Sequence, residues 1–206
     1  GDITIGENIS PENIMKSPLY MPDLAASQKA ELLLEEKMKE HDSVGGVIEC
    51  VVKGMMPGIG EPVFEKLDAN LAKAVMSIGA VKGVEIGDGF ASAESFGSSN
   101  NDAFCLDQDK HITKATNHAG GILGGISDGS DVILRAAVKP TPSIAKTQQT
   151  VNCDKEPIAI EIGGRHDPII VPRAVVVVEA MTAITVFDMM MESMSSNLDR
   201  IKRFFS

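Results

Sequence analysis

Between Asn117 and Ser143 the chain reads NHAGGILGGISDG, SDVILRAAV and KPTPS in succession, and no other stretch restricts the backbone as strongly. Gly120, Gly121, Gly124 and Gly125 bracket the apolar pair Ile122 and Leu123. Glycine loses more backbone entropy on ordering than any other residue, so this density points to left-handed turns or to backbones in close approach. Residues 131–138 follow as a strand, β-branched and apolar with Arg135 among them. The strand delivers Lys139 into Pro140-Thr141-Pro142-Ser143. Two prolines flanking one residue exclude helix and hold the backbone extended, keeping an ammonium and two hydroxyls close together. Two readings stay open. One is a tight turn with close strand packing. The other is a cradle for a flat, anionic ligand, with bare N–H groups, a lysine and hydroxyls for its phosphate. The spacing does exclude two nucleotide loops: no GxGxxG runs through it, and Ile126-Ser127 stand where a Walker loop needs Lys followed by Ser or Thr.

What a chain of 206 residues can hold is one large domain or two small ones, burying roughly 70% of its unfolded surface. Its net charge of −10 argues against nucleic acid as a partner. Cys50, Cys105 and Cys153 are odd in number and lack CxxC spacing, which points to packing thiols in a reducing, cytoplasmic compartment. No signal peptide is visible and no apolar run approaches membrane-spanning length, so no membrane association is expected. There is no Trp, one Tyr (Tyr20) and seven Phe, so a planar ligand would lie on aliphatic and backbone surfaces.

In chain order, residues 1–20 show no sustained period and form an irregular arm. Residues 24–41 predict a helix with Ala25, Leu32, Leu33 and Met38 on one face. A strand over 45–55 and a loop over 57–62 precede a second helix over 63–77, with Phe64, Leu67, Leu71, Val75 and Ile78 spaced for burial. Residues 80–86 are a strand, broken by Gly87-Asp88-Gly89. The polar stretch 90–112 reads as a mobile loop, functional or partner-contacting, with plain disorder as the alternative. Residues 147–151 and 157–162 are strands. The long segment 172–194 is a helix by its length, its leading proline and its Ala, Met and Glu content. Its methionines (Met181, Met189, Met190, Met191, Met194) suit core or subunit packing. Ile201, Phe204 and Phe205 close the chain as an apolar docking patch. The order helix–strand–helix–strand before residue 90 suggests an α+β class.

Arg165-His166-Asp167, held between two glycines and Pro168, is the most reactive-looking triplet. It is either a placed carboxylate for proton chemistry or a helix cap with a surface ion pair. His118 beside the glycines is the other candidate, against an ordinary hydrogen-bonded histidine. Glu85 and Asp88 are a carboxylate pair or solvated turn residues. Ser127 fits GxSxG only in letters, so serine hydrolysis is not expected. His41 and His111 have no partner at ligand spacing, and no metal site is expected.

Five separated runs together resemble the chorismate synthase family: HDSVGGVIECVVKG, PGIGEPVFEKLDANLAKAVMSIGAVKGVEIGDGF, NHAGGILGGISDG, KPTPSI and GRHDPIIVPRAVVVVEAM. The resemblance implies conversion of 5-enolpyruvylshikimate 3-phosphate to chorismate by anti-1,4-elimination of phosphate with reduced FMN (FMNH2). It also implies a homotetramer and an α+β fold, an antiparallel sheet packed against helices as part of a β-α-β sandwich. In bifunctional members NADPH is the reductant. By motif, the flavin contacts would be Gly79 and Ala80, Gly124, Lys139, Pro140, Thr141, Pro142, Ser143 and Arg165. Asp167 would sit near flavin N5 and assist removal of the C6 proton. Ile169 stands where the family often has Cys. The family's early half, with two histidines used as acids and an Arg-Ser-Ser segment, has no counterpart here. The chain is therefore expected to be a C-terminal portion, begun at Gly1 by cleavage or cloning, with little or no activity alone. The competing expectation is a non-catalytic flavin-binding or oligomerisation module that needs its missing half.

Overall fold

A computed structural model describes residues 1–6, 9–164 and 166–206, and only the backbone of Arg200. The chain divides into two compact units, residues 1–47 with 137–176 and residues 48–136 with 177–206. The elements in order are a 3-10 helix at Pro11–Lys16, α1 (Leu24–Lys39), β1 (Gly46–Val52), α2 (Leu67–Met76), β2 (Val81–Ile86), a 3-10 helix at Gly89–Glu94, α3 (Gly97–Asn100), β3 (Phe104–Leu106), β4 (Ile112–Lys114), β5 (Ile122–Leu123), β6 (Ile126–Ser127), β7 (Val132–Val138), β8 (Gln148–Val151), β9 (Pro157–Ile160), α4 (Val171–Ser195) and α5 (Leu198–Phe204). The segment 90–112 therefore carries helical turns and the antiparallel β3–β4 hairpin, and residues 1–20 hold one 3-10 helix.

In the first unit, α1 begins where Asp23 Oδ1 accepts from the backbone nitrogens of Ala25 (2.9 Å) and Ala26 (3.1 Å), satisfying two of the helix's open donors. Its inward stripe is Ala26, Ser27 and Leu34, while Leu32 and Met38 are exposed. The expected face of Ala25, Leu32, Leu33 and Met38 is thus rotated. A polar residue enters the inward stripe because the Ser27 hydroxyl finds a buried partner, Ser17 Oγ, at 2.8 Å. Antiparallel β8 and β9 form a largely exposed hairpin.

The second unit is built on a sheet of strand order β1-β7-β2. The central strand β7 alternates, with Val132, Leu134 and Ala136 fully buried and Ile133 and Arg135 between them. Leu67, Leu71 and Val75 of α2 are buried in one stripe at a spacing of four. Phe64, expected on that stripe, is 85% exposed, because the helix starts only at Leu67, after Val63 takes a left-handed φ of 64°. Of the thiols, Cys50 is half-buried, and burial pushes its pKa up. Cys105 and Cys153 are exposed, so the expected packing role does not hold for them.

Within the second unit, α4 buries Val178, Thr182, Val186, Met189 and Ser193. By length and composition alone α4 is long and apolar enough to cross a membrane, which corrects the expectation that no run approaches that length. It also interleaves Glu179, Asp188 and Glu192, and its buried stripe is packed within protein. A second apolar stripe, Val177, Ala180, Ile184, Phe187, Met191 and Met194, is exposed along its length. All seven phenylalanines of the chain are exposed, Phe204 and Phe205 included, although their rings meet edge to face at 5.1 Å.

Candidate functional site

The glycine run folds as a minimal hairpin in the second unit. Leu123 pairs with Ile126 across Gly124 and Gly125, whose φ values of 62° and 87° are both left-handed. Two-residue hairpin loops of this kind match the twist of their strands and select glycine. No described residue lies within 4 Å of where a Cβ on Gly124 would stand. Gly120 differs: a Cβ there would run into the backbone nitrogen of Gly87. Gly120→Ala is therefore expected to cost at least about 3 kcal/mol of stability. Gly124→Ala should cost only about 1–2 kcal/mol, for its φ. Thermal melts of the two variants check the difference.

At the α2–β2 turn, Gly79 likewise has no described residue within 4 Å of a Cβ, and Ala80 holds a φ of 70°. A non-glycine residue in that region stores strain of order 1 kcal/mol or more, a cost that recurs at ligand-contacting turns.

His118 is fixed from several sides. Its Nδ1 lies 2.7 Å from Asp88 Oδ2, its backbone nitrogen donates to Asp102 Oδ1 at 2.8 Å, and its carbonyl accepts from Asp88 N at 2.8 Å. Glu85 pairs instead with Arg135 at 3.1 Å, so Glu85 and Asp88 do not act as a carboxylate pair. Arg135 Nη2 also donates to the carbonyls of Gly87 and Asp88, and its buried Nε has no partner among the described residues. A cleft of about 230 Å³ opens beside these groups, with Glu49, Asp88, Asn117 and Arg135 on its wall. Among the described residues, none of the expected flavin contacts lines it. Ser127 is buried, and its hydroxyl accepts from Ile59 N and donates to Met56 O. That occupies both of its roles and leaves no nucleophile.

Sequence reasoning missed a buried ionic cluster beneath this loop. Lys114 Nζ reaches Asp128 at 2.6 Å and Asp102 at 3.5 Å, with the Lys114 and Asp102 side chains each 3% exposed. Asp102 also accepts from Thr116 Oγ1, His118 N and Ala119 N. Burial alone would push its pKa up. The donors from Ala119, Thr116 and His118, with Lys114 beside them, outweigh burial and hold it down at about 2. Asp128 is likewise lowered against its burial, chiefly by Lys114.

In the first unit, Lys139, Pro140 and Pro142 are exposed, and Thr141 and Ser143 are half-buried. Thr141 Oγ1 is buried with no hydrogen-bond partner among the described residues. Asp167 Oδ2 accepts from Arg173 Nη1 at 2.6 Å, and Arg173 is 73% exposed. This is the surface ion pair held open by the sequence, made with a residue of α4. A His166 ring nitrogen lies 2.8 Å from Ile162 O. Arg165, expected as a flavin contact, lies outside the described residues.

An α+β chain with an open glycine hairpin and a proline-stiffened, lysine-bearing loop is the class these features define. A family model for chorismate synthase matches residues 3–191, and the chain belongs to that family. Proteins named chorismate synthase from Lachnoclostridium phytofermentans and Archaeoglobus fulgidus are 62% and 60% identical over 194 and 181 residues, 94% and 87% of this chain. A crystal structure of chorismate synthase matches with a TM-score of 0.74 at 30% identity, over 94% of this chain and 51% of its own. The chain spans about half the length of the curated relatives it matches, 53% and 50% of these two.

Proposed function

We propose that the chain is the later part of a chorismate synthase, a lyase of aromatic amino-acid biosynthesis. In the assembled enzyme it serves the anti-1,4-elimination of phosphate from 5-enolpyruvylshikimate 3-phosphate to give chorismate. The family match across residues 3–191 carries this reading. Reduced FMN, when bound, supplies the electron-rich partner that the elimination draws on, with NADPH as its reductant in bifunctional members. The residues present suit such a group: Gly79 and Gly124 leave open space where a side chain would intrude, and Thr141 carries a buried hydroxyl in need of a partner. In the first unit, Lys139 offers charge to a phosphate or an anionic ring, Thr141 and Ser143 offer hydroxyls, and Pro140 and Pro142 hold them extended. Arg165 adds a guanidinium. Taken by itself, the second unit offers the uncovered backbone of Gly79, Ala80 and Gly124. Asp167, whose present partner is a well-exposed arginine, assists removal of the C6 proton of the substrate. We take the assembled protein to be a cytoplasmic homotetramer, with neither nucleic acid nor membrane as partner.

One observation favours a second reading, a non-catalytic flavin-binding or oligomerisation module in need of its other half. Every phenylalanine is exposed, and exposed apolar surface on this scale marks an interface.

An anaerobic assay with reduced FMN and substrate, together with FMN titration, tests the proposal. The chain alone is expected to show no turnover but saturable FMN binding, weakened roughly tenfold or more by Lys139→Ala through loss of a charge-assisted contact. Turnover near that of a full-length enzyme would show that no other half is needed. No FMN binding at all would leave a packing module.

A further inference from the structure

One short segment of the first unit, Asp42 to Gly46, touches both loops that carry the proposed chemistry. On one side, Ser43 Oγ donates to Thr141 O at 2.7 Å, and Asp42 Oδ2 takes Lys146 Nζ at 2.6 Å just beyond the KPTPS loop. The Lys146 hydrogen bond, then the Ser43 backbone N–H, hold the Asp42 pKa below its ordinary value. On the other side, Val44 N donates to Pro168 O at 2.8 Å, and Val44 forms a parallel β-bridge with Ile169, two residues past Asp167. Gly45 allows both contacts at once. A Cβ there would stand 2.6 Å from Val138 O and 3.0 Å from the Pro140 ring, so any side chain would lever the segment away from the base of the loop.

We infer that Asp42, Ser43 and Gly45 are positioning residues that hold the Lys139–Ser143 loop and the Asp167 loop in fixed conformations through one shared strut. None of the three needs to touch flavin or substrate. Ser43 fixes the peptide that orients Thr141. Asp42 anchors the downstream end through Lys146. Gly45 sets how closely the strut lies against Val138 and Pro140. The inference rests on the assignment of those two loops to flavin and substrate. Its conformational part can be measured without either.

The experiment compares Ser43→Ala, Ser43→Thr, Lys146→Met and Gly45→Ala in the whole chain. Hydrogen–deuterium exchange is followed over 139–146 and 166–171, alongside FMN affinity and melting temperature. Loss of one hydrogen bond in Ser43→Ala should speed exchange over 139–146 about fivefold and weaken FMN by a similar factor. Ser43→Thr, which keeps the hydroxyl, should restore both. Lys146→Met should speed exchange over 139–146 alone, whereas Gly45→Ala should speed it in both segments. A merely global weakening would instead lower the melting temperature and raise exchange everywhere. Unchanged exchange over 139–146 in Ser43→Ala and Gly45→Ala overturns the inference. So does faster exchange with unchanged FMN affinity. Should the unaltered chain bind no FMN, the flavin assignment fails on its own account, and exchange in the two segments alone decides whether the strut exists.

Discussion

Asp102→Asn is expected to destabilise the second unit by about 3–5 kcal/mol, the usual cost of breaking a buried, hydrogen-bonded ion pair from one side. The carboxylate gathers Thr116 Oγ1, two backbone N–H groups and Lys114 around a side chain only 3% exposed. Asparagine keeps the shape but turns one acceptor into a donor facing donors, and it leaves the Lys114 ammonium with Asp128 alone. For a chain of this length that loss corresponds to a fall of roughly 10 °C in melting temperature. Stability should also depend on pH. The folded-state pKa is about 2 against an ordinary value of 3.8. The contribution is therefore fully present above about pH 4 and is lost as the pH falls through about 2, and its size is about 2–3 kcal/mol. Urea denaturation across that window should show the unaltered chain losing stability more steeply than the variant. Asp107→Asn, at a side chain 40% exposed, serves as the control. A loss below about 1 kcal/mol for Asp102→Asn would show that the cluster does not hold the loop.

That cluster explains why part of the second unit escapes a reading of its letters. Asp102, Lys114 and Asp128 follow no local period, and the first two fall in or beside a stretch whose Ser, Asn and Asp content reads as loop. Their burial depends on long-range meetings between the β3–β4 hairpin and the glycine turn, and spacing does not encode those. Where a local rule decides, the sequence is legible. The strand read over 131–138 forms at Val132–Val138, and the spacing Leu67, Leu71, Val75 is buried as read. The crowding of glycines becomes a two-residue hairpin because positive φ at Gly124 and Gly125 leaves few other choices. Phe64 misleads because a helical period continues through the letters past the point where Val63 stops the helix. On α1, the inward stripe is set by a serine pair that no hydrophobic pattern could announce. His118 could be singled out beside its glycines, but its partner Asp88 lies thirty residues away, so the pairing is tertiary information. The strut at 42–46 is a similar case. The letters read there as the start of a strand at residue 45, yet the purpose of the segment lies in the backbones of Val138, Pro140 and Pro168 that come to meet it.

Phe187→Asp should abolish productive assembly with the part of a full-length relative that this chain does not span, while leaving the isolated chain's melting temperature within about 1 °C. The reason lies in the two faces of α4. Val178, Thr182, Val186 and Met189 face the protein interior. Val177, Ala180, Ile184, Phe187, Met191 and Met194 recur at alternating intervals of three and four and stay exposed, Phe187 at 66%. A helix that is apolar on opposite sides is built to be covered on both, and the 3-4 alternation is the spacing that lets a second helix lie along it. Covering Ile184 and Phe187 is worth about 1.5–3 kcal/mol each, and an unpaired carboxylate forced into the same place adds several kcal/mol of desolvation. Association should therefore weaken by a factor of roughly a thousand or more. The measurement is complementation: this chain and the first half of a full-length relative are produced together, co-purified, and assayed anaerobically with reduced FMN and substrate. The unaltered chain is expected to co-purify and restore turnover. Phe187→Asp and Ile184→Asp should do neither, whereas Asp188→Ala, which changes an exposed neighbour outside the stripe, should behave as the unaltered chain. If Phe187→Asp assembles normally, the exposed stripe is not where the other half binds, and the case for α4 as the shared core of the two halves fails with it.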